Sequence, residues 1–132
     1  MLNAQRAVYR KMEPGVSWVE CHIAAELEIV KGLHTIGILQ FSQATAGETS
    51  VDVLEKLVRE WRLGAVFMPH GLGHLIGIDT HDVGGYLEGT PLRSPKPGLR
   101  SLRTARILKE SMVLTVEPGC YFIDHLLDEA ME

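Results

Sequence analysis

Cysteine is scarce in this chain of 132 residues, which contains only Cys21 and Cys120. Their spacing matches neither a disulfide framework nor a zinc finger, so the sequence predicts a reducing, cytoplasmic environment. Long apolar runs are missing too. No segment approaches the length that crosses a bilayer, and residues 1–12 contain no apolar signal core. These absences argue against a membrane protein and against a secreted domain held together by disulfides.

An excess of basic charge is also missing. Thirteen Lys and Arg stand against seventeen Asp and Glu, a net charge of −4, so no overall positive field exists to attract nucleic acid. The remaining composition, 45% hydrophobic and 23% charged, is ordinary for a globular protein and too apolar for a disordered one. The length allows one domain or a part of a larger one.

Two helices are predicted near the start of the chain. Residues 4–12 carry a short apolar stripe, which Glu13-Pro14-Gly15 interrupts. The segment Ser17-Trp18-Val19-Glu20 has the pattern of a capping box, which marks the start of a second helix. That helix is expected to run from Trp18 to about Lys31 and to stop at Gly32.

The pattern does not assign a structure to the apolar segment Thr35–Phe41, and residues 42–50 are predicted to form a small polar loop. A third helix is predicted to follow this loop. Thr49 or Ser50 is the expected cap, and Gly64 the expected end. The inner stripe of this helix is predicted to contain five apolar residues: Val51, Leu54, Leu57, Val58 and Trp61.

Strands and loops are predicted for the rest of the chain. Ala65–Met68 is a short apolar run typical of a buried strand, and Met112–Glu117 alternates like a strand. Pro118-Gly119 turns the chain, so Cys120–Ile123 is expected to return beside Met112–Glu117 as a hairpin. Between these strands, residues 90–110 are predicted to form a basic loop.

The order of these elements predicts an α+β fold class, because helices come first and strands follow without βαβ alternation. We expect one domain over residues 1–132, with a helical part, 1–64, and a strand-and-loop part, 65–132, that carries the site. The first helix begins without a cap and the last, after Ile123, ends at once. We therefore expect the chain to be part of something longer.

The densest chemical signal is Pro69–Asp82, PHGLGHLIGIDTHD, which holds three of the six histidines. Its glycines disfavour a helix by about 1 kcal/mol each relative to Ala. Extended backbone would place His70, Leu72 and His74 on one face. Neutral imidazole binds metals and transfers protons near neutral pH. Partly buried polar histidines or surface-loop histidines would give the same pattern.

Two further signals involve charge. Period two places Val113, Thr115 and Glu117 on one face of a strand, and a carboxylate at the end of an apolar strand needs a cationic partner unless it points into water. The segment Arg100–Arg106, RSLRTAR, offers guanidinium groups that bind carboxylates through two hydrogen bonds. A solvated basic loop would give the same spacing.

Taken together, VFMPHGLGH, HDVGGY, PGLRSLRTAR and MVLTVEPG resemble the prolidases, or Xaa-Pro dipeptidases, which are metallopeptidases of the pita-bread fold. The resemblance is most specific over Gly64–Ala130 and continues more weakly upstream through AQRAVYRKMEPGVSW. It implies a partial pita-bread catalytic domain that hydrolyses dipeptides with C-terminal proline by a metal-activated water. It also implies manganese ions, a dipeptide as substrate and a possible homodimer.

The resemblance also implies roles for individual residues. His74 corresponds to the metal-binding histidine, and Glu117 to the first of two metal-binding glutamates. His70 corresponds to a histidine that assists proton transfer or stabilises the intermediate. His81 corresponds to a substrate-contacting histidine, and Arg103 to an arginine that holds the C-terminal carboxylate of the dipeptide.

The chain departs from the family pattern in its ligand set. The family holds two manganese-type ions with two Asp, one His and two Glu, of which only His74 and Glu117 can be carried over. Asp79 and Asp82 belong to the GIDxHD motif and do not correspond to the missing ligands. We therefore expect a weak, exchangeable metal site at most, and little or no activity of this chain alone.

Two other readings stay open at this point. One is a non-catalytic interaction module of the pita-bread type, since that fold also occurs without metals. The other is a small single-metal site built from His70, His74, His81 or Glu117.

Overall fold

The computed structural model describes residues 1–40 and 50–131. The regular structure of these residues consists of helices and one 3₁₀ turn, Leu99–Ser101. The helices are α1 (Leu2–Lys11), α2 (Trp18–Thr35), α3 (Ser50–Arg59), α4 (Gly64–Phe67) and α5 (Asp124–Met131). These residues contain two isolated β-bridges and no regular β-strand. Their helices all lack the length or the hydropathy that a membrane span requires. The helices of the predicted α+β class are therefore present, whereas its strands are reduced to bridges in this part of the chain.

Helix α1 covers the N-terminal end of the core. It buries Ala4 and Val8, whose spacing of four residues puts them on one face. Gly15, at φ 96°, follows the helix and adopts a left-handed conformation that glycine tolerates best. Its N–H donates to the carbonyl of Leu108, and the N–H of Leu108 donates back to Val16. This pairing attaches the N-terminal helices to the second half of the chain.

Helix α2 starts where the sequence predicts, because the Ser17 side chain accepts a hydrogen bond from the N–H of Val19 at 3.2 Å. The predicted stop at Gly32 is wrong: the helix continues to Thr35. Burial of Leu33 just beyond the glycine offsets the low helix propensity of Gly32. Gly37, at φ 79°, takes the left-handed position after the helix end instead.

Two clusters of apolar residues pack against α2. The larger joins α1, α2, α4 and the segment around Leu99–Leu108, and the smaller joins α2 to α3. Trp18, Cys21 and Ala25 are fully buried in the first, and Val30 in the second. Helix α2 is therefore the central element against which the rest of the molecule packs.

Helix α3 is shorter than predicted, since it ends at Arg59 and the chain turns before Gly64. Of its predicted inner stripe, Val58 is fully buried, but Val51 is exposed and Trp61 is 74% exposed. Trp61 lies outside the helix, so the helical period no longer sets its direction. Residues 42–49 of the loop predicted over 42–50, including the alternative cap Thr49, lie outside the described residues, and Ser50 is the first residue of α3.

The predicted buried strand at Ala65–Met68 is wrong, since Gly64–Phe67 forms the one-turn helix α4. Ala65, Phe67 and Met68 are buried, as expected, but four apolar residues fit a helical turn as well as a strand. Arg62, at φ 58°, redirects the chain just before this turn. That is an uncommon conformation for a residue with a side chain.

Buried contacts hold Arg62 in this conformation. Its guanidinium donates to Glu26 Oε1 at 2.7 Å, to the carbonyl of Val58 at 2.9 Å and to the carbonyl of Pro97 at 3.1 Å. His22 Nε2 lies 3.0 Å from the same Glu26 oxygen. The ion pair therefore connects α2, the turn before α4 and the loop before Leu99–Ser101.

The predicted hairpin between Met112–Glu117 and Cys120–Ile123 is also wrong. Residues 113–117 run antiparallel to residues 72–76 instead, with N–H groups of Ile76, Thr115 and Glu117 donating across the pair and a bridge between Leu75 and Leu114. The pairing is too irregular to form a regular β-ladder. It nevertheless brings the glycine- and histidine-rich segment beside the segment that ends in Glu117.

Candidate functional site

The pairing of residues 72–76 with 113–117 determines where His74 and Glu117 lie. The N–H of Thr115 donates to the carbonyl of His74 at 2.9 Å, and the N–H of Glu117 donates to the carbonyl of Leu72 at 2.7 Å. The hydroxyl of Thr115 accepts a bond from the N–H of His74 at 3.0 Å. Leu72 itself is fully buried in the core and anchors the segment.

Glycine permits this close approach. A Cβ at Gly73 would overlap with the carbonyl oxygen of Thr115, and one at Gly71 would lie 2.8 Å from the carbonyl oxygen of Ser101. Contacts this short require the absence of a side chain. The glycines of the motif thus allow two backbone segments to pack directly against the histidine-bearing segment.

The side chains of His74 and Glu117 meet across this pair. His74 Nε2 lies 3.0 Å from Glu117 Oε1, with the histidine 7% and the glutamate 52% exposed. His74 Nδ1 lies 2.9 Å from the carbonyl oxygen of Leu75. A carbonyl oxygen only accepts, so we assign the Nδ1 proton to that bond. The lone pair of Nε2 in neutral His74 then faces a carboxylate oxygen, an arrangement that a cation or a proton between them stabilises.

The geometry of this pair fits a divalent ion. Two donors that each lie roughly 2.1 Å from one ion, at a right angle, are about 3.0 Å apart, and imidazole nitrogen and carboxylate oxygen are both common ligands. Within residues 1–40 and 50–131, no three His, Cys, Asp or Glu side chains form a group that could hold a metal ion. The described residues therefore bring two facing donors together, His74 and Glu117, and the metal-binding roles of both remain predictions.

His70 lies beside the same opening. Its Nδ1 is 2.8 Å from the carbonyl oxygen of Gly71, which orients the ring. Its Nε2 is buried and has no hydrogen-bond partner in the part of the chain that the structure describes. The Tyr121 ring packs edge-on against it, with ring centroids 5.3 Å apart. His70 thus keeps one nitrogen available for a proton or a ligand.

His81 and Arg103 complete the set of predicted residues. The ring of His81 packs edge-on against His74 at 4.3 Å between centroids. Arg103 is exposed, and neighbouring Ser101 donates a hydrogen bond to the carbonyl of Pro69 at 3.2 Å. That bond ties the arginine-rich segment to the residue preceding His70.

All five predicted site residues line one cavity of about 370 Å³. This volume is at the small end of ligand-binding pockets. The lining residues are His70, Gly71, Gly73, His74, His81, Ser101, Arg103, Glu117 and Tyr121. The structure therefore brings together residues that are up to 47 positions apart, from His70 to Glu117, and their individual roles remain predictions.

Apart from Gly71 and Gly73, which have no side chain, two lining residues were not predicted as site residues: Ser101 and Tyr121. The position of Tyr121 shortly after the Glu-Pro-Gly motif could have identified it as a site residue. The residue type of Ser101 gives no such signal. Asp82, by contrast, does not line the cavity. Its N–H donates to the carbonyl of Leu75 at 3.0 Å, and its carboxylate accepts from the N–H of Val83, so its contacts are those of a loop-forming residue.

Comparison with known proteins places these observations in a family. The profile of metallopeptidase family M24 matches residues 1–130. The Xaa-Pro dipeptidase of Homo sapiens is 54% identical over 131 residues, which cover 99% of this chain and 24% of that protein.

Two further Xaa-Pro dipeptidases show the same partial coverage. That of Rattus norvegicus is 52% identical over 131 residues, and that of Stenotrophomonas maltophilia strain K279a is 38% identical over 132 residues, 27% of its length. The chain spans about a quarter of the length of the curated relatives that it matches.

Proposed function

The chain belongs to metallopeptidase family M24, and we propose that it carries metal-binding and dipeptide-binding residues of an Xaa-Pro dipeptidase-type hydrolase. The observation that supports this most is the approach of His74 Nε2 to Glu117 Oε1 at 3.0 Å, in the wall of a cavity that His70, His81 and Arg103 also line. The similarity to Xaa-Pro dipeptidases over nearly the whole chain supports the substrate class.

In this proposal, His74 and Glu117 hold a divalent ion. Leu75 orients the imidazole through its carbonyl, so that Nε2 presents a lone pair to the ion, as is usual for metal-binding histidine. A bound ion would polarise the peptide carbonyl and lower the pKa of a coordinated water. Manganese is the ion that the family resemblance favours, and a set of hard oxygen ligands around one histidine suits it.

The remaining residues act on the substrate. His70 has a buried Nε2 without a hydrogen-bond partner among the described residues, so it can accept a proton or donate one to the reacting peptide. Arg103 binds the C-terminal carboxylate through its guanidinium fork, and His81 contacts the peptide next to the metal ligand His74. A single carboxylate-binding arginine would favour dipeptides over longer chains.

Three finer expectations rest on the resemblance alone. They are a preference for proline at the second position, a homodimer and a cytoplasmic location. Sedimentation of the purified chain tests the homodimer, and hydrolysis of Gly-Pro compared with Gly-Leu by a family enzyme that carries these residues tests the preference.

Manganese binding to the purified chain tests the metal site. The electron paramagnetic resonance signal of free Mn²⁺ reports binding directly. We expect His74→Ala or Glu117→Ala to weaken binding more than about tenfold, because even partners outside the ligand set are worth that much. The exposed pair His125 and Glu129, whose Nε2 and Oε1 are 3.2 Å apart, offers a matched control. Equal loss in Glu129→Ala and Glu117→Ala would contradict a specific site.

Hydrolysis of Gly-Pro in the presence of manganese is measured beside binding. His74 and Glu117 are only two of the five metal donors that the resemblance implies. We therefore expect this chain to hydrolyse Gly-Pro no faster than an identically prepared Glu117→Ala variant. The variant also controls for a contaminating host peptidase. Faster hydrolysis by the unsubstituted chain would contradict this expectation and mean that further groups complete the site.

A further inference from the structure

The backbone around Arg103 is held by side chains that do not line the cavity. The carbonyl oxygen of Leu102, which belongs to the peptide bond leading into Arg103, accepts two hydrogen bonds. One comes from the Tyr86 hydroxyl at 3.0 Å, and the other from Arg93 Nη1. The same Arg93 nitrogen donates to the carbonyl of Arg100 at 3.0 Å. Both lone pairs of the Leu102 carbonyl are thereby used.

Tyr86 and Arg93 also hold each other. The guanidinium carbon of Arg93 lies 4.2 Å from the centroid of the Tyr86 ring, which is cation–π geometry. Stacking orders a long side chain that is otherwise exposed. Burial raises the pKa of Tyr86, against the opposing effect of Arg93, so the hydroxyl stays protonated and can donate.

The glycines before Tyr86 pack against the same segment. A Cβ at Gly85 would overlap with the carbonyl oxygen of Arg103, so backbone lies directly on backbone there. The carbonyl of Gly84 accepts a hydrogen bond from Arg106 Nη1 at 3.1 Å. Residues 84–86 therefore run along residues 102–106, and they follow His81 closely in the chain.

From these contacts we propose that Tyr86 and Arg93 are positioning residues that fix the backbone of Arg103 for binding of a substrate carboxylate. The inference rests on the proposed function, in which Arg103 binds that group. Among residues 1–40 and 50–131 no hydrogen bond or ion pair occupies the Arg103 guanidinium, which leaves it available for a ligand. The contacts made by Tyr86 and Arg93 fix the point from which this side chain extends, and the path through residues 84–86 links it to His81.

Binding of two small probes to the full ¹⁵N-labelled chain tests the proposal. Gly-Pro carries the carboxylate, and its C-terminal amide, Gly-prolinamide, lacks it. The ratio of their dissociation constants from NMR titration measures carboxylate recognition, and a general loss of stability does not change this ratio. We expect Arg103→Ala to abolish the preference for the acid. Tyr86→Phe and Arg93→Ala should each reduce it by roughly three- to tenfold, the equivalent of one hydrogen bond.

Controls separate the possible failures. Arg100→Ala removes a neighbouring exposed charge and should leave the ratio unchanged. Arg93→Lys keeps the charge without the stacked, forked geometry and should behave like Arg93→Ala. If Arg93 variants do not fold, Tyr86→Phe, which removes one oxygen atom, decides the question.

Two results would be negative in different ways. If the chain does not prefer Gly-Pro over Gly-prolinamide, or if this preference survives Arg103→Ala, the proposed role of Arg103 is overturned and this inference with it. A preference that depends on Arg103 but is the same in Tyr86→Phe, Arg93→Lys and Arg100→Ala would overturn only the positioning role.

Discussion

Removing the carboxylate of Glu26 should destabilise the chain far more than removing a surface carboxylate. Glu26 is fully buried and Arg62 is 5% exposed, and 2.7 Å separates their closest charged atoms. Glu26→Ala would leave the Arg62 guanidinium buried without a counter-charge. Breaking a buried ion pair on one side typically costs about 3–5 kcal/mol of unfolding free energy, out of a total of roughly 5–15 kcal/mol for a domain.

Two variants identify the cause of this loss. Glu26→Gln keeps the volume and removes the charge, so about 1.5–3 kcal/mol should be lost through the weakened bond to a charged group. The double variant Glu26→Leu with Arg62→Met leaves no unpaired buried charge and should therefore lose less unfolding free energy than Glu26→Ala. The loss that remains reports His22 and the carbonyls of Val58 and Pro97, whose partners are removed. A cavity effect alone would instead leave Glu26→Gln unchanged.

Urea unfolding followed by circular dichroism measures these differences. The matched surface pair is Glu20 with Arg59, which forms two hydrogen bonds of 2.9 Å but has a glutamate 38% exposed. Glu20→Ala should cost only about 0.2–1 kcal/mol because water screens exposed pairs. If Glu26→Ala costs no more than Glu20→Ala, the buried pair does not hold the molecule together and the reasoning fails.

Two further predictions concern glycines and pH. Gly32→Ala should raise the unfolding free energy by about 0.5–1 kcal/mol, since Gly32 is helical and a Cβ there meets nothing within 4 Å. Gly85→Ala should lower it by about 1–3 kcal/mol, because the added Cβ overlaps with the Arg103 carbonyl. The urea midpoints of both variants check these predictions. The hydrogen bond from Arg59 holds the pKa of Glu20 below its ordinary value of 4.5, so its stabilisation is present above pH 4.5 and is lost as the pH falls through the folded-state pKa. Glu20→Gln should therefore flatten the fall in the urea midpoint below pH 4.5, and parallel profiles of the two proteins would contradict this.

The sequence predicts local helix signals well. Ser17 caps α2 as expected because its side chain needs only the next turn of backbone, and Pro14-Gly15 separates α1 from α2. Predictions failed where distant contacts decide the outcome. Gly32 stays helical because Leu33, the next residue, is buried. Gly64–Phe67 forms a helix after Arg62 takes a left-handed conformation, which no periodicity in the sequence reveals.

The site was predictable only in part. Period two alone puts Glu117 at the end of an extended segment, but it does not say which segment lies beside it, and the expected hairpin partner was wrong. Family resemblance supplied the association of Glu117 with His74, 43 positions apart. Ser101 reaches the cavity only through the 3₁₀ turn, so a residue with no chemical signal of its own could not have been selected.

The contact between Gly73 and the Thr115 carbonyl has a consequence for how this molecule can change. The distance between His74 and Glu117 is set by backbone touching backbone, and the methyl group missing at Gly73 determines how close the two chains come. A mutation at Gly73 would force His74 and Glu117 apart. In the proposed metal site this change would act like the loss of a ligand, although Gly73 has no side chain with which to bind a metal.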